Sequence, residues 1–185
     1  MKLPKPPAQV RIIGGHWRRS LLPVADRPGL RPTPDRLRET LFNWLGDVSG
    51  LTLLDAFAGS GALGLEAASR GAARVTLLER DPLLVRSLQT TLSRLTPPPG
   101  TQVQIQRGDA LAWSPSAPLD GVFLDPPFDA DIFALTLQRA TAWLAPGAWV
   151  YLEAPAEWTA WPPGLERIKH ARVGQVHGQV AVWQG

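Results

Sequence analysis

The chain has 185 residues, a mass of 20.1 kDa and a formal net charge of +3, which predicts one domain large enough to bury a hydrophobic core. With 44% hydrophobic residues and no cysteine, it is not a fibrous or disordered protein, and disulfides, thiolate metal sites, iron–sulfur clusters and cysteine nucleophiles are excluded. No apolar run approaches the ~18 residues of a membrane span, and no signal peptide is evident, so we expect a cytoplasmic protein without a membrane partner.

The first 46 residues form a predicted basic arm. They carry nine of the 19 basic side chains and three of the 16 acidic ones, a net charge of +6, whereas residues 47–185 sum to −3. A basic segment on a mildly acidic body favours a polyanionic partner that binds the segment, although a solvated tail is the alternative. We therefore divide the chain into an arm, residues 1–46, and a main domain, residues 47–185.

The arm is predicted to hold a hairpin and a helix. Residues 1–9 are rich in proline and lysine and are expected to be disordered. A short strand is predicted over residues 10–13, with residues 16–22 as its hairpin partner. A helix begins after Pro34 and places Leu37 and Leu41 on an apolar stripe, before glycines stop it near residue 46.

The main domain alternates strands and helices. This pattern predicts a parallel sheet covered by helices on both faces, with ligands bound at the carboxyl ends of its strands. The tail alternates apolar and polar residues and predicts an antiparallel strand pair over 165–173 and 178–184. Strands are predicted over 51–56, 74–79, 103–106, 121–125 and 148–153, and helices over 61–70, 82–95 and 131–144.

A glycine-rich loop follows the first strand of the main domain. Its glycines let the backbone approach a ligand and turn sharply into a helix. With Glu79 twenty residues after Gly59, the spacing fits a nicotinamide dinucleotide site as well as another adenosine-ligand site. Glu79 ends the second strand, where it could accept hydrogen bonds from a ribose diol, and Asp109 could bind an adenine amine after the third. The loop sequence is Asp55-Ala-Phe-Ala-Gly59-Ser-Gly61-Ala-Leu-Gly64.

The most specific motif is Asp125-Pro-Pro-Phe128, which ends another apolar strand. The prolines fix the backbone, and the Asp125 carboxylate and a proline carbonyl are both acceptors. Together they can hold an exocyclic amine by its two hydrogens and aim its nitrogen. Phe128 offers a ring on which a base can stack.

Taken together, the glycine loop, Glu79 and the Asp125–Phe128 motif resemble class I S-adenosylmethionine methyltransferases that modify exocyclic amines. More narrowly, the chain from Val10 to about Gln184 is similar to the bacterial small-subunit rRNA guanine-N2 methyltransferase family, RsmD. Three further stretches carry this resemblance. They are Arg11-Ile-Ile-Gly-Gly-His-Trp-Arg, Leu30-Arg-Pro-Thr-Pro-Asp-Arg-Leu-Arg-Glu-Thr-Leu-Phe-Asn-Trp-Leu45 and Gly178-Gln-Val.

The resemblance implies a Rossmann-like α/β fold with a mostly parallel seven-stranded sheet and an antiparallel C-terminal strand, plus the N-terminal hairpin and helix. It also implies S-adenosylmethionine as cofactor, no metal, and a monomer that methylates guanine 966 of 16S rRNA in an assembling or assembled 30S subunit. The methionine end of the cofactor would meet Asp55, Phe57, Gly59, Ser60 and Gly61, the ribose Glu79, and the adenine Asp109 and Ala110. The guanine would meet Asp125, Pro126, Pro127 and Phe128, and other RNA would meet Arg11, Trp17, Arg18, Arg19, Arg31, Arg36 and Arg38.

Three alternatives stay open on the sequence. A nicotinamide-dependent oxidoreductase would explain the glycine loop, but it leaves the Asp125–Phe128 motif without a role. An adenine-N6 methyltransferase of DNA or RNA would use the same motif. A non-catalytic RNA-binding module would explain the basic arm but would give the Asp125–Phe128 motif no function. For Trp17, packing within the hairpin competes with stacking on an RNA base.

Overall fold

The computed structural model describes residues 8–25, 33–128 and 130–185. The predicted disorder over residues 1–9 falls almost entirely outside this part. The strands are β1 Gln9–Arg11, β2 Leu21–Pro23, β3 Thr52–Asp55, β4 Arg74–Glu79, β5 Gln102–Arg107, β6 Leu119–Leu124, β7 Leu144–Ala154, β8 Leu165–Val173 and β9 Val176–Trp183. The helices are α1 Asp35–Leu45, α2 Ala62–Ser69, α3 Pro82–Ser93 and α4 Phe133–Thr141. None of these helices is long and apolar enough to cross a membrane.

Seven strands form one sheet in the order β5-β4-β3-β6-β7-β9-β8. The strands from β5 to β7 are parallel to their neighbours, and β9 pairs antiparallel with both β7 and β8. The predicted fold class is confirmed. Because the strand order reverses between β3 and β6, a crevice opens at the carboxyl ends of these two strands.

The sheet is buried on both faces, as its apolar strands predict. Leu53 and Phe123 belong to a core cluster that also holds apolar residues of α1, α2 and α3. Leu54 and Val122 point to the opposite face and pack with apolar residues of α4. Helices on both sides therefore hold the strand ends in place as a rigid platform for the crevice.

The hairpin and α1 share the first of these cores. Val10, Ile12 and Leu22 of the hairpin and Leu41 and Phe42 of α1 are buried in the same cluster as the sheet residues. The N-terminal segment is thus packed against the main domain over its described part. The division at residue 46 stays a prediction about which part of the chain meets RNA.

The predicted hairpin partner begins later than expected. Residues 16–22 were predicted to pair, but β2 starts at Leu21, and the residues before it form turns. The backbone N–H of His16 donates to the Ser69 carbonyl at 2.7 Å, and that of Trp17 donates to Ser69 Oγ at 2.8 Å. These bonds to the end of α2 satisfy backbone groups that strand pairing would otherwise have used.

Candidate active site

A cavity of about 1090 Å³ opens at the carboxyl edge of the parallel strands. It brings together the predicted cofactor residues and the predicted acceptor residues, which lie far apart in the sequence. Gly61 is the exception, because it is buried at the amino end of α2 and does not line the cavity. The predicted residues that line it are Asp55, Phe57, Gly59, Ser60, Glu79, Asp109, Ala110, Asp125, Pro126, Pro127 and Phe128.

Gly61 serves the turn between β3 and α2. It caps the amino end of α2 with φ of 80°, a left-handed conformation that side chains disfavour. A Cβ at this position would lie 2.8 Å from Leu65 Cδ1 and 2.9 Å from Leu88 Cδ2. Glycine therefore allows both the turn and the close packing of the loop on the helices.

Asp55 ends β3 and anchors the first turn of α2. Its Oδ2 accepts a hydrogen bond from the backbone N–H of Gly64 at 2.9 Å. The side chain is buried, and this burial raises the pKa of Asp55 to about 7. The carboxylate thus supports the loop backbone while it also faces the cavity.

Glu79 ties the same loop to the end of β4. Its Oε2 accepts from the backbone N–H of Gly59 at 2.9 Å, and its Oε1 accepts from that of Asp81 at 2.8 Å. A carboxylate oxygen can accept more than one hydrogen bond, so both atoms keep capacity for hydroxyl donors. The position fits the predicted contact with a ribose diol.

Asp109 follows β5 at the far end of the cavity. Its Oδ1 accepts from the backbone N–H of Leu111 at 2.9 Å, and the residue is exposed, whereas Ala110 beside it is buried. An acceptor next to an apolar wall fits the amine and the face of an adenine. From Asp109 through Glu79 to the glycine loop, the residues present fit S-adenosylmethionine.

The Asp125–Phe128 loop leaves β6 on the other side of the crevice. Asp125 is half-buried and lies among acidic neighbours, so burial, the Glu153 charge and the Asp55 charge all raise its pKa well above the usual range. The Phe128 ring is backed by Phe133, with 6.5 Å between the ring centroids. One side of Phe128 is therefore supported by the core while the residue lines the cavity.

Glu153 is a cavity residue that our sequence analysis missed. It lies near the carboxyl end of β7, is 2% exposed and lines the cavity. Its Oε1 accepts hydrogen bonds from Thr33 Oγ1 and from Tyr151 Oη, the latter at 3.0 Å. Burial raises the pKa of Glu153 to about 7. The sequence does contain a signal for Glu153, because an acidic residue near the end of an apolar strand is the same pattern that identified Glu79.

Two of the predicted RNA contacts need correction. Arg38 is fully buried, because its guanidinium donates to Asp35 Oδ1 at 2.6 Å and to the Arg11 carbonyl at 2.8 Å. Trp17 is also buried, and its indole N–H donates to the Thr96 carbonyl at 2.6 Å. Trp17 thus joins the arm to the main domain, and Arg38 does so through Glu66 at 3.4 Å; both side chains are buried and not exposed to RNA.

The remaining predicted arm contacts are placed differently. Arg31 lies outside the described residues. The others are exposed on the surface, where their guanidinium groups are accessible to a polyanion. They are Arg11, Arg18, Arg19 and Arg36.

A mostly parallel sheet in this strand order, with a glycine-rich crevice facing an Asp-Pro-Pro-Phe loop, defines a class I S-adenosylmethionine-dependent methyltransferase. A family model described as Conserved hypothetical protein 95 matches residues 10–182. The chain belongs to this family, that of ribosomal RNA small subunit methyltransferase D.

Individual relatives agree with this assignment. Ribosomal RNA small subunit methyltransferase D of Escherichia coli (strain K12) is 47% identical over 154 residues, 80% of this chain and 76% of the relative. The Haemophilus influenzae protein of the same name is 40% identical over 173 residues, 86% and 90% of the two chains. The solved structure of the Escherichia coli protein yhhF superposes with a TM-score of 0.83 at 39% identity, covering 96% of this chain and 99% of that one.

Family membership confirms the predicted enzyme class and its cofactor, S-adenosylmethionine. It does not favour a nicotinamide-dependent oxidoreductase or an adenine-N6 methyltransferase. The individual roles of the cavity residues stay predictions, which the geometry above makes specific.

Proposed function

We propose that this enzyme transfers a methyl group from S-adenosylmethionine to the exocyclic N2 amine of a guanine in 16S rRNA, at the site corresponding to guanine 966. The names of the curated relatives support ribosomal RNA as the substrate. The observation that carries the proposal is the placement of Asp125 and Pro126 across one cavity from the glycine loop. The enzyme acts as a cytoplasmic monomer, without metal, on an assembling or assembled 30S subunit.

The cofactor is held along the glycine-loop side of the cavity. Glu79 accepts hydrogen bonds from the ribose, Asp109 and Ala110 receive the adenine, and the loop that begins at Asp55 receives the methionine end. When bound, the cofactor supplies an electrophilic methyl group on a positively charged sulfur. The acidic neighbours Asp55 and Asp125 favour this positive charge electrostatically.

The Asp125–Phe128 motif, here called the acceptor motif, orients the guanine amine for the transfer. The guanine amine is a poor nucleophile because its lone pair is shared with the ring, so its nitrogen must be aimed at the methyl group. The Asp125 carboxylate and the Pro126 carbonyl accept its two hydrogens and stabilise positive charge that develops on the nitrogen. Such orientation can lower the activation free energy of the transfer by up to ~7–11 kcal/mol. Phe128 stacks on the extruded base and is kept in place by Phe133.

No strong base is required before the transfer. The nitrogen carries an extra proton after it has gained the methyl group, and it is then acidic. Asp125, whose pKa is raised by burial and by Glu153, is placed to hold that proton on its carboxylate. None of the three histidines is among the described residues that line the cavity.

The exposed arginines of the arm bind backbone phosphate. Arg11, Arg18, Arg19 and Arg36 fix the register of the RNA on the enzyme and carry no sequence information themselves. The hairpin belongs to the core, so removing the arm would also destabilise the fold. Neutralising Arg18 and Arg19 together weakens RNA binding without exposing apolar surface.

The proposal is tested by mass spectrometry of nucleosides from small ribosomal subunits that have been incubated with the enzyme and isotope-labelled S-adenosylmethionine. We expect labelled N2-methylguanosine at one position. The Asp125→Ala variant should bind the cofactor in calorimetry and lose turnover by orders of magnitude, whereas Asp131→Ala, at an exposed position nearby, should behave as wild type. Labelled N6-methyladenosine would support the adenine alternative, and no transfer would support the non-catalytic module.

A further inference from the structure

The cavity holds an acidic side chain to which the proposed mechanism assigns no contact with the substrate. Glu153 is buried at the end of β7 and lines the cavity beside the acceptor motif. The β6–β7 register pairs Leu124 with Leu152; Asp125 is the first residue after β6, and Glu153 is the next residue of β7. Adjacent strands lie about 4.8 Å apart, and the Glu153 charge acts on Asp125, so the two side chains are neighbours at the sheet edge.

The two oxygens of Glu153 have different surroundings. Oε1 accepts both hydrogen bonds, from Thr33 Oγ1 and Tyr151 Oη. Oε2 accepts no hydrogen bond from the described residues. Because Glu153 lines the cavity and Oε2 has no donor among the described residues, this oxygen can accept a hydrogen bond from a bound ligand.

Given the proposed function, we infer that Glu153 selects guanine at this site, because its Oε2 accepts the N1–H of the target base. Guanine carries two neighbouring donors on its Watson–Crick edge, the N2 amine and N1–H. Asp125 and Pro126 take the amine, and Glu153 takes the N1 proton. Adenine presents a lone pair at N1, which an ionised carboxylate repels.

The ionised form of Glu153 is the selective one. Burial raises its pKa to about 7, so the carboxylate is ionised in an assay at about pH 8. The titratable and charged groups that interact with it are Asp55, Asp125, Tyr151 and Arg38. Of these, Arg38 favours the ionised form, and Thr33 and Tyr151 stabilise it through their hydrogen bonds.

The Glu153→Gln variant replaces the acceptor Oε2 by a donor and keeps an acceptor at the position of Oε1. The amide oxygen can replace Oε1 and accept from Thr33 and Tyr151, which leaves the amide NH₂ in place of Oε2. A donor then faces N1 where an acceptor stood. The matched substrate probe is 2-aminopurine, which keeps the 2-amine of guanine but has a lone pair at N1 and no O6.

The experiment compares guanosine with 2-aminopurine riboside at the position that the wild-type enzyme methylates. Each is introduced into 16S rRNA by splinted ligation, and the RNA is reconstituted into small subunits. The measured quantity is the ratio of kcat/KM for guanosine to kcat/KM for 2-aminopurine. We expect Glu153→Gln to lower this ratio at least about tenfold relative to wild type. Loss of O6 affects both enzymes equally and cancels in the comparison.

The control is Tyr151→Phe, which removes one bond to Oε1 and leaves Oε2 unchanged. It should lower both kcat/KM values together and keep the ratio. A Glu153→Gln enzyme whose two values fall in parallel would overturn the inference and assign Glu153 a structural role. If that variant does not fold, Glu153→Asp withdraws the acceptor from N1 and must lower the ratio as well. A wild-type enzyme that does not methylate guanine N2 would instead refute the proposed function.

Discussion

Glu66 is predicted to be the side chain on which docking of the arm depends. It is fully buried in α2, and its carboxylate accepts four hydrogen bonds. Oε2 accepts from the backbone N–H of Ile13 at 2.8 Å and from Arg38 at 3.4 Å. Oε1 accepts from the backbone N–H of Gly14 and from Arg70, both at 2.8 Å. Glu66→Gln replaces one oxygen by an NH₂ group that faces two donors.

The expected loss of stability follows from these contacts. Removing one partner of a buried ion pair costs about 3–5 kcal/mol, because the other charge stays buried. Arg38 keeps Asp35 as a second carboxylate partner at 2.6 Å, which places the expected loss near the lower end, about 3 kcal/mol. This is a large share of the roughly 5–15 kcal/mol that stabilises a typical domain.

Urea unfolding followed by tryptophan fluorescence measures this loss. We expect the midpoint for Glu66→Gln to fall by about 1 M or more at an unchanged slope. Glu39→Gln, on the exposed face of α1, is the matched control and should change the free energy of unfolding by less than about 0.5 kcal/mol. A loss below about 1 kcal/mol for Glu66→Gln would refute the reasoning, because the arm would then be held by apolar packing alone.

Three further predictions concern Gly64 of the glycine loop and the buried acidic residues Asp55 and Glu153. Gly64→Ala places a Cβ 2.2 Å from Leu77 Cδ2 and should cost about 1–3 kcal/mol in thermal unfolding and weaken cofactor binding in calorimetry; unchanged affinity would contradict it. Binding of the cationic cofactor near pH 7 should release protons, because its charge favours ionised Asp55, whose pKa is about 7. Titrations in buffers of different ionisation enthalpy measure this release, and identical heats would contradict it. Folding raises the pKa of Asp55 and of Glu153 from about 4 to about 7, so the folded state binds more protons than the unfolded state in this range. The free energy of unfolding contributed by these two groups should therefore fall as pH rises from about 4 to about 7. The slope of the unfolding free energy against pH should be shallower for Glu153→Gln than for wild type, and equal slopes would contradict this prediction.

Most elements of the main domain were predictable because their patterns are local, although β7 begins at Leu144, inside the helix predicted over 131–144. The strand over Arg74–Glu79 and the strand over Leu165–Val173 have the predicted bounds. An apolar run or an alternation of apolar and polar residues is set by neighbours along the chain. Placing the glycine loop and the Asp125 motif in one cavity required one more rule, that parallel strands end at the same sheet edge.

The fate of individual charges was not predictable in this way. Arg36 and Arg38 lie two residues apart on α1, yet one is exposed and the other is fully buried. Arg38 bonds to Asp35, to the Arg11 carbonyl and to Glu66, and the last of these lies 28 residues further along the chain. A sequence shows that an arginine is charged, but a partner brought close by folding decides whether it meets solvent.

The alternation of strands and helices, the glycine loop and the acceptor motif can be identified in the sequence, since each depends on residues a few positions apart. The folded structure was needed to show that the arm docks on α2 and that Glu153 joins the cavity with one oxygen bonded and the other free of described donors. Burial and hydrogen-bond partners arise from contacts between distant segments, and these contacts exist only after the chain has folded.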